Sequence, residues 1–439
     1  MSGDTAAERV YALLTGEDGS DCRDIPEEAC REQPQNFLRH VVSLAASKTG
    51  DGLADPKLVL SWLLGTLGAS QLYIGLLVPV REAGALLPQM VTAGAIHALP
   101  QRKWVWAAGS VVQGAAVAAM AVVAWRLRGA AAGAAIVALL AVFAIARSVC
   151  SVSYKDVLGK TISKSTRGTA TGTAATIASS LVLLFGVLLS SGALELSVDV
   201  IASVLLCAAG LWMLAATVFV TLFEVPGSTE RGGNALRIAV DQIGLLRRDP
   251  QLVRFIAARG LLVATALAPP YLLALAGRGG GRQLGELGSF VVASALAAVT
   301  STYIWGRLSD RSSRKVLIIA ALVGASALAA AALLGAAVAA RRLEARGVGL
   351  AFPLVLYVMM IAYQGVRLGR STHVVDMATE QTRAAYTALS NTAIGAVLVV
   401  GGTFGWFASR YGEVAVLLVF AFMCLAAAAV ASGLEEVQR

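Results

Sequence analysis

The sequence is dominated by charge-free apolar runs that are long enough to cross a lipid bilayer, which takes about 20 residues in a helix. Hydrocarbon offers the backbone no hydrogen-bond partners, so a chain that crosses it repeatedly in such runs has to do so as helices. The sequence therefore predicts an all-α integral membrane protein. Ten runs are clear, at 104–125, 129–146, 168–194, 200–223, 260–277, 287–306, 316–340, 347–366, 384–409 and 414–434.

Composition supports lipid as the solvent. Of the 439 residues 57% are hydrophobic and only 14% are charged, with a mean hydropathy of +0.72, whereas roughly a quarter of the residues in a soluble domain are charged. The net charge of +9 could indicate nucleic-acid binding. The basic residues, however, are spread over the short loops between the apolar runs, which is typical of membrane topology. The predicted partner is therefore the lipid bilayer and not nucleic acid.

Motifs for enzymatic chemistry are not found in the sequence. It has no Walker-type phosphate loop, and its three histidines, His40, His97 and His373, lie far apart. We predict no enzyme activity, no cofactor and no metal site. Cys22 and Cys30, in the polar N-terminal tail, are expected to stay reduced on the cytoplasmic side.

The stretch 37–101 is long enough for two further spans, which brings the total to twelve. Two charge-free runs within it, 58–80 and 83–101, are separated only by Arg81 and Glu82. Two helices can hardly reverse direction on a link of two residues. A different division of this stretch is therefore preferable.

We predict span 1 at about 38–66 and span 2 at about 70–96, joined by a turn within 65–71. The alternative, in which Arg81 and Glu82 lie in an outer loop, remains open. In the preferred topology five charged residues lie at membrane depth: Lys48, Asp51, Asp55, Arg81 and Glu82.

The distribution of basic residues predicts the orientation. With the N-terminus inside, the cytoplasmic loops hold fourteen Lys and Arg residues and the opposite loops hold seven. This bias predicts a multi-pass protein of a bacterial-type inner membrane with both termini in the cytoplasm.

The apolar runs and the polar stretches between them divide the chain into five segments. Within the linker, Leu236, Val240 and Ile243 recur at helical spacing, which predicts an amphipathic helix on the membrane surface. An ordinary solvated linker is the alternative. The segments are a tail at 1–36, a six-helix bundle at 37–223, a linker at 224–250, a second six-helix bundle at 251–433 and a tail at 434–439.

Two pairs of motifs indicate an internal repeat. The segment 94–103, GAIHALPQRK, matches the segment 306–315, GRLSDRSSRK, in its leading Gly and closing Arg-Lys. Arg147 and Asp156 are spaced as Arg367 and Asp376 are. Both matches are offset by about half the chain, as expected for a transporter built from two similar halves.

The string WGRLSDRSSRKVL between two apolar runs resembles the cytoplasmic signature loop of the major facilitator superfamily. The resemblance covers about 38–433. It implies twelve transmembrane helices in two pseudo-symmetric six-helix bundles around a central cavity, which rock between inward-open and outward-open states. Two features depart from the family. Ala98 stands where the first-half loop usually has Asp, and the fifth span lacks the Gly-Pro-rich motif of drug/proton antiporters.

By this resemblance the gate would lie at the two signature loops and at the inner ends of spans 4 and 10. Asp310 is expected near the start of span 5, where a carboxylate complements a helix N-terminus. Asp310→Asn is expected to favour the inward-open state. The predicted gating residues are Gly94, Arg102, Lys103, Asp156, Gly306, Asp310, Arg311, Arg314, Lys315 and Asp376.

Charges at membrane depth are costly and usually functional. Lys48, Asp51 and Asp55 lie at i, i+3 and i+7, which predicts one shared face of span 1. A Lys48–Asp51 salt bridge that only holds helices together is the alternative to a cavity-facing relay. The predicted substrate- and proton-binding residues are Lys48, Asp51, Asp55, Arg81, Glu82, Arg147, Tyr154, Gln364, Arg367 and Arg370.

The excess of Arg in this set suits an anionic or zwitterionic solute, because guanidinium binds carboxylate or phosphate with two parallel hydrogen bonds. We therefore predict a monomeric secondary transporter of such a small-molecule solute. It is expected to be coupled to protons through Asp51 or Asp55. The alternatives are a small-molecule exporter of the same superfamily and a transporter-like receptor or partner-binding membrane subunit without flux.

Overall fold

The computed structural model describes residues 6–16, 25–88, 96, 98–227, 244–277, 286–309, 311–340, 350–378 and 382–437. In these ranges the chain forms eighteen α-helices. The first half contains α1 (Ala6–Thr15), α2 (Glu27–Arg31), α3 (Gln33–Leu53), α4 (Val59–Thr66), α5 (Gln71–Leu86), α6 (Lys103–Arg126), α7 (Gly129–Thr161), α8 (Lys164–Ser190) and α9 (Val198–Val220). The second half contains α10 (Gly244–Arg248), α11 (Pro250–Leu261), α12 (Val263–Gly277), α13 (Glu286–Ser309), α14 (Ser313–Ala339), α15 (Ala351–Asp376), α16 (Arg383–Gly401), α17 (Thr403–Tyr411) and α18 (Glu413–Ser432).

Fifteen of these eighteen helices correspond to the twelve predicted spans. Span 1 is formed by α3 and α4, span 2 by α5, spans 3 to 6 by α6 to α9, span 7 by α11 and α12, spans 8 to 10 by α13 to α15, span 11 by α16 and α17, and span 12 by α18. Ten helical stretches of the described chain, which correspond to spans 3 to 12, are long and apolar enough to cross a membrane. Spans 1 and 2 carry the predicted charged cluster.

The turn between spans 1 and 2 lies where the sequence places it. Helix α4 ends at Thr66 and α5 begins at Gln71. Gly68, in the turn, has a φ of +77°, a left-handed conformation that glycine adopts without steric cost. Arg81 and Glu82 therefore lie within α5 and not in a loop, as the preferred division of 37–101 predicts.

The two halves repeat one packing scheme. In the first half span 3 packs on spans 4 and 6, and span 2 packs on span 4. In the second half span 9 packs on spans 10 and 12, and span 8 packs on span 10. The halves meet where span 5 packs on span 8 and where span 2 packs on span 11. This arrangement agrees with the internal repeat in the sequence.

The two halves approach each other closely at one end of the bundle. We call the end with the start of α3 and the end of α18 the terminal face, and the opposite end the distal face. Near the distal face, a methyl group on Gly75 of span 2 would overlap the backbone of Gly405 in span 11. A methyl group on Gly288 of span 8 would likewise overlap Ser190 of span 5. Glycine thus allows the helices of the two halves to touch there.

Span 1 is broken, which corrects one prediction. Helix α3 ends at Leu53 and α4 begins at Val59, because Pro56 cannot donate a backbone hydrogen bond and its ring excludes the preceding helical turn. Asp55 lies in this break, where its Oδ2 accepts the N–H of Leu58 at 3.2 Å. The helical spacing predicted for Lys48, Asp51 and Asp55 is therefore wrong at Asp55.

Other predictions have different outcomes. Cys30 is disulfide-bonded, so the expectation that it stays reduced is wrong; Cys150, Cys207 and Cys424 are free. The predicted amphipathic helix at 236–243 lies outside the described residues and stays a prediction. The boundaries of the five chain segments also stay predictions.

We predict that the glycine contact at the distal face contributes to stability. Gly75→Ala should lower the free energy of unfolding by about 1–3 kcal/mol, because the added methyl group has no room beside Gly405. Gly210→Ala, on an exposed face of span 6 with open space around it, should raise it by about 0.5–1 kcal/mol, because alanine favours a helix over glycine. Thermal unfolding midpoints of the purified proteins measure both effects. Equal shifts for the two variants would contradict the packing described.

Candidate functional site

A cavity of about 480 Å³ lies in the middle of the bundle, between the two halves. Its walls come from spans 1, 2, 4 and 5 of the first half and spans 8 and 10 of the second half. Near the distal face it is limited by the contact between the halves. Its polar and charged lining residues include Lys48, Asp51, Asp55, Lys57, Arg81, Glu82, Arg147, Ser151, Ser179, Ser294, Tyr363, Gln364, Arg367 and Arg370.

The structure brings nine of the ten predicted substrate- and proton-binding residues to this one cavity. The exception is Tyr154, which packs among His40 and Phe219, with ring centroids 5.6 and 6.2 Å away. Tyr154 shares the helix α7 with Arg147 but lies two turns nearer the terminal face. It therefore belongs to the core between spans 1, 4 and 6, and the prediction that it faces the cavity is not supported.

Asp51 is held between two guanidinium groups. Its Oδ1 lies 3.0 Å from Nη2 of Arg81 on span 2, and its Oδ2 lies 2.6 Å from Nη2 of Arg147 on span 4. Arg81 also stacks over the ring of Phe143 at 4.9 Å. The ion pairs of Asp51 thus join three spans of the first half. The sequence left a Lys48–Asp51 pair as an alternative, but Lys48 does not take part in either bridge.

Lys57 joins the two halves, and sequence reasoning missed it. It lies in the break of span 1, is only 9% exposed, and places its Nζ 3.9 Å from the ring centroid of Tyr363 on span 10. A cation over an aromatic face is attracted by the ring quadrupole. The signal in the sequence was Pro56, which breaks the helix in the middle of span 1 and turns the next residue towards the cavity.

The cavity carries an excess of positive charge. Six cationic side chains and three carboxylates line it. Two of the cations share Asp51 and one lies over Tyr363. Among the described residues Lys48, Arg367 and Arg370 have no carboxylate within ion-pair distance. An anion that enters this space would meet guanidinium and ammonium groups from both halves.

A second polar cluster lies at the terminal face of the first half. Glu224, just after span 6, accepts the backbone N–H groups of Arg102 at 3.0 Å and Lys103 at 2.8 Å, and so caps the start of α6. Arg102 forms an ion pair with Asp156 of span 4. Lys160 lies 2.8 Å from Asp156 and 3.5 Å from Glu224. The cluster fastens spans 3, 4 and 6 to one another.

Glu224 was not among the predicted residues, because in the sequence it looks like one more charge in a linker. Its side chain is completely buried, which only the fold reveals. Arg102, Lys103 and Asp156, by contrast, were predicted from the first-half loop and the inner end of span 4.

The second half has a related cluster. Ser312 caps α14 by accepting the N–H of Lys315 at 3.1 Å, and it donates to Oε2 of Glu436 at 2.7 Å. Arg314 donates to the carbonyl of Ser432 at 2.6 Å. A carboxylate after span 12 thus meets the signature loop much as Glu224 after span 6 meets the first-half loop.

The remaining predicted gating residues are either exposed or outside the described chain. Arg311, Lys315 and Asp376 are exposed at the terminal face, and Gly306 has open space around it. Gly94 and Asp310 lie outside the described residues, so the expected contact of Asp310 with span 5 stays a prediction.

Comparisons with known proteins give structural matches only. No family profile and no curated protein sequence matches the chain. A crystal structure of a mutant form of the nucleoside transporter NupG is 14% identical with a TM-score of 0.69, covering 91% of this chain and all of that one. The D-xylose-proton symporter is 13% identical with a TM-score of 0.65, covering 92% and 98%.

A bacterial homologue of the human lysosomal transporter Spinster, in an inward-facing and occupied conformation, is 13% identical with a TM-score of 0.62. The match covers 98% of each of the two chains. At such low identity these likenesses establish the fold alone. They show that the chain shares the fold of these solved transporters, which is the kind of fold that its signature loop implied.

We predict that the buried Glu224 carboxylate is needed for stability. Glu224→Ala should lower the free energy of unfolding by about 1–3 kcal/mol, because two backbone N–H groups at the start of α6 lose their acceptor. Glu195→Ala, in an exposed loop at the distal face, is the matched control and should have little effect. Thermal unfolding measures both. A Glu224→Ala protein as stable as the control would show that the cap is dispensable.

Proposed function

We propose that this chain is a secondary active transporter that moves a small organic anion across the membrane by alternating access. The observation that carries the proposal is the 480 Å³ cavity between the two halves, in which cations outnumber carboxylates by six to three. A transporter of this fold binds its solute between two halves that rock around a central site. The excess of positive charge in the cavity favours a solute with a negative charge.

The geometry favours a solute with a carboxylate or phosphate group. Arg147 and Arg81 approach from the first half, and Arg367 and Arg370 approach from the second half. Guanidinium groups bind such oxyanions with two parallel hydrogen bonds. A zwitterion is also compatible, because Asp55 and Glu82 in the same cavity can hold its cationic group.

The closed distal face and the central cavity define one stage of the transport cycle. We place both termini in the cytoplasm of a bacterial-type inner membrane, on the basis of the basic residues in the loops. In that orientation the distal face is periplasmic, and the close contact there corresponds to a state that is not outward-open. Opening the other way requires the glycine contacts between spans 2 and 11 and between spans 5 and 8 to separate.

Asp51 is the carboxylate that we propose for proton coupling. A solute oxyanion that binds Arg147 competes with Asp51 for the same guanidinium group. A carboxylate displaced from its partners at membrane depth is tolerated when it is protonated, because an isolated charge there is costly. Anion and proton would then enter together, and both would leave when Asp51 returns to its two arginines.

The transport test uses purified protein in liposomes with an imposed pH gradient, and small carboxylates and phosphate esters as candidate solutes. A ligand that binds only the folded protein raises its thermal stability, so a thermal-shift screen selects the candidates. We expect saturable uptake of an anionic solute. Arg147→Gln should lower the apparent affinity about tenfold or more, because one charge-assisted hydrogen-bonding group is lost. Arg410→Gln, exposed at the distal face, is the control.

If a ligand stabilises the protein but no condition produces flux, the chain is a receptor and the transport proposal is wrong. If uptake is restricted to cationic solutes, the charge argument is wrong. If the protein moves solute against its concentration gradient only in the direction that leads out of the cell, the chain is an exporter.

The coupling proposal predicts a specific phenotype for Asp51→Asn. This variant should lose accumulation driven by the pH gradient but keep exchange of labelled for unlabelled solute at equal pH, because the binding arginines remain. Asp55→Asn is the comparison, since Asp55 interacts with the break in span 1 and not with Arg147. Asp51→Asn that still accumulates solute would exclude Asp51. Glu82 would then be the next candidate.

A further inference from the structure

A second, much smaller cavity adjoins the main one and shares part of its lining. Its volume is about 30 Å³, and its walls come from spans 2, 7, 10 and 11. The polar residues that line it are Glu82, Arg259, Thr265, Tyr363, Arg367 and Arg370. Four of these, Glu82, Tyr363, Arg367 and Arg370, also line the main cavity. Arg259 and Thr265 of span 7 do not.

Arg259 is a buried cation whose partners are neutral. It is 8% exposed, and its Nη1 and Nη2 donate to Oγ of Ser390 at 2.8 Å and Oδ1 of Asn391 at 2.9 Å. Its Nε is buried and has no hydrogen-bond partner. Among the described residues no carboxylate lies within ion-pair distance of Arg259. One of its three donor nitrogens therefore has no protein partner, and its charge is met only by neutral acceptors.

The charged neighbours make this situation less favourable. Arg370, which carries the same sign, lines the same small cavity and disfavours the charge on Arg259. Glu82 lines the same cavity, but the cations that act on it are Lys57, Arg81, Arg370 and Arg367. Its single negative charge is thus shared among four cations other than Arg259. Two guanidinium groups thus line the same small cavity.

An unpaired charge inside a protein is unfavourable unless a counter-ion or hydrogen bonds compensate it. We infer that the small cavity between spans 7, 10 and 11 is a binding site for one small monovalent anion, held by Arg259 together with Arg370. A water molecule takes up about 30 Å³ in the liquid, so a cavity of this size admits a chloride ion or a single carboxylate head. It is too small for a whole organic solute.

The site has a defined relation to the main cavity. An anion beside Arg370 lies near Tyr363 and Arg367, which line both spaces. It would offset part of the positive excess that faces the solute. It would also stabilise the hydrogen bonds by which Arg259 fastens span 7 to span 11. The inference concerns a separate site and does not rest on the proposed function.

The anion can come from two sources, and the experiment separates them. The purified full-length protein is unfolded thermally in sodium gluconate, and gluconate is replaced stepwise by chloride at constant ionic strength. Gluconate is too large for the cavity. A second series replaces gluconate by acetate, the smallest probe with a stable carboxylate and an apolar end. Arg259→Gln removes the charge, and Arg410→Gln is the control with an exposed arginine at the distal face.

We expect chloride, acetate or both to raise the unfolding temperature of the wild-type protein in a saturable manner. Arg410→Gln should keep this response and Arg259→Gln should lose it. A response to chloride identifies a free inorganic anion. A response to acetate alone identifies a carboxylate group. The inference is overturned if neither anion gives a saturable response, or if Arg259→Gln responds as the wild type does.

Crystals grown in bromide keep the inference testable if Arg259→Gln does not fold. The wild-type protein should show an anomalous bromide peak within hydrogen-bond reach of Arg259. An empty cavity, or bromide bound only elsewhere, would overturn the site for inorganic anions. In that case the unfolding temperatures measured in acetate decide whether the cavity binds a carboxylate group instead. Transport assays are independent of all these readouts, so the two proposals can fail separately.

Discussion

A charged side chain in the hydrocarbon region of a bilayer has to be paired, stacked or hydrated, and the centre of this molecule is organised by that requirement. Asp51 forms ion pairs with two arginines at once and so holds spans 1, 2 and 4 together. Lys57 rests on Tyr363 and connects span 1 to span 10. The break at Pro56 brings Asp55 and Lys57 to the cavity wall. Helices that would otherwise be indifferent to one another are thereby fixed around a polar space.

The contact between the halves is of a different chemical kind at the distal face. There the helices approach through glycine and small side chains, and attraction comes from close packing. Packing of this kind can be separated without leaving a charge unpaired. The ion pairs of Asp51 and of the Arg102 cluster lie within the first half, so they can persist while the halves move. The alternating-access cycle that we propose would have to separate this packing and the Lys57–Tyr363 contact, and could leave those ion pairs intact.

Hydrophobic run length predicted most of the fold, because each span has to match the thickness of the bilayer. The need for a real turn between spans 1 and 2 correctly placed Arg81 and Glu82 at membrane depth. Depth then identified nearly all the charges that line the cavity. The depth of a residue in the membrane does not predict which way its side chain points where the helix is interrupted. Asp55 and Lys57 therefore needed the break at Pro56, which the spacing argument ignored.

Other residues were misplaced or missed because their role depends on tertiary contacts. Tyr154 shares a helical face with Arg147, yet two helical turns bring it into the core beside His40. Glu224 and Arg259 lie just outside apolar runs and look solvated in the sequence, whereas packing buries both. The oxidised state of Cys30 likewise depends on a pairing that spacing alone did not indicate.

The central claim is that the cavity attracts anions, and the reactivity of a cysteine placed in it tests this directly. Ser294→Cys puts a thiol on the cavity wall contributed by span 8. Its rates of modification by a negatively charged and a positively charged methanethiosulfonate are compared, each divided by the rate with a free thiol in solution. An electropositive cavity concentrates the anionic reagent, so the account predicts that this reagent reacts faster. Equal rates, or faster reaction of the cationic reagent, would contradict it.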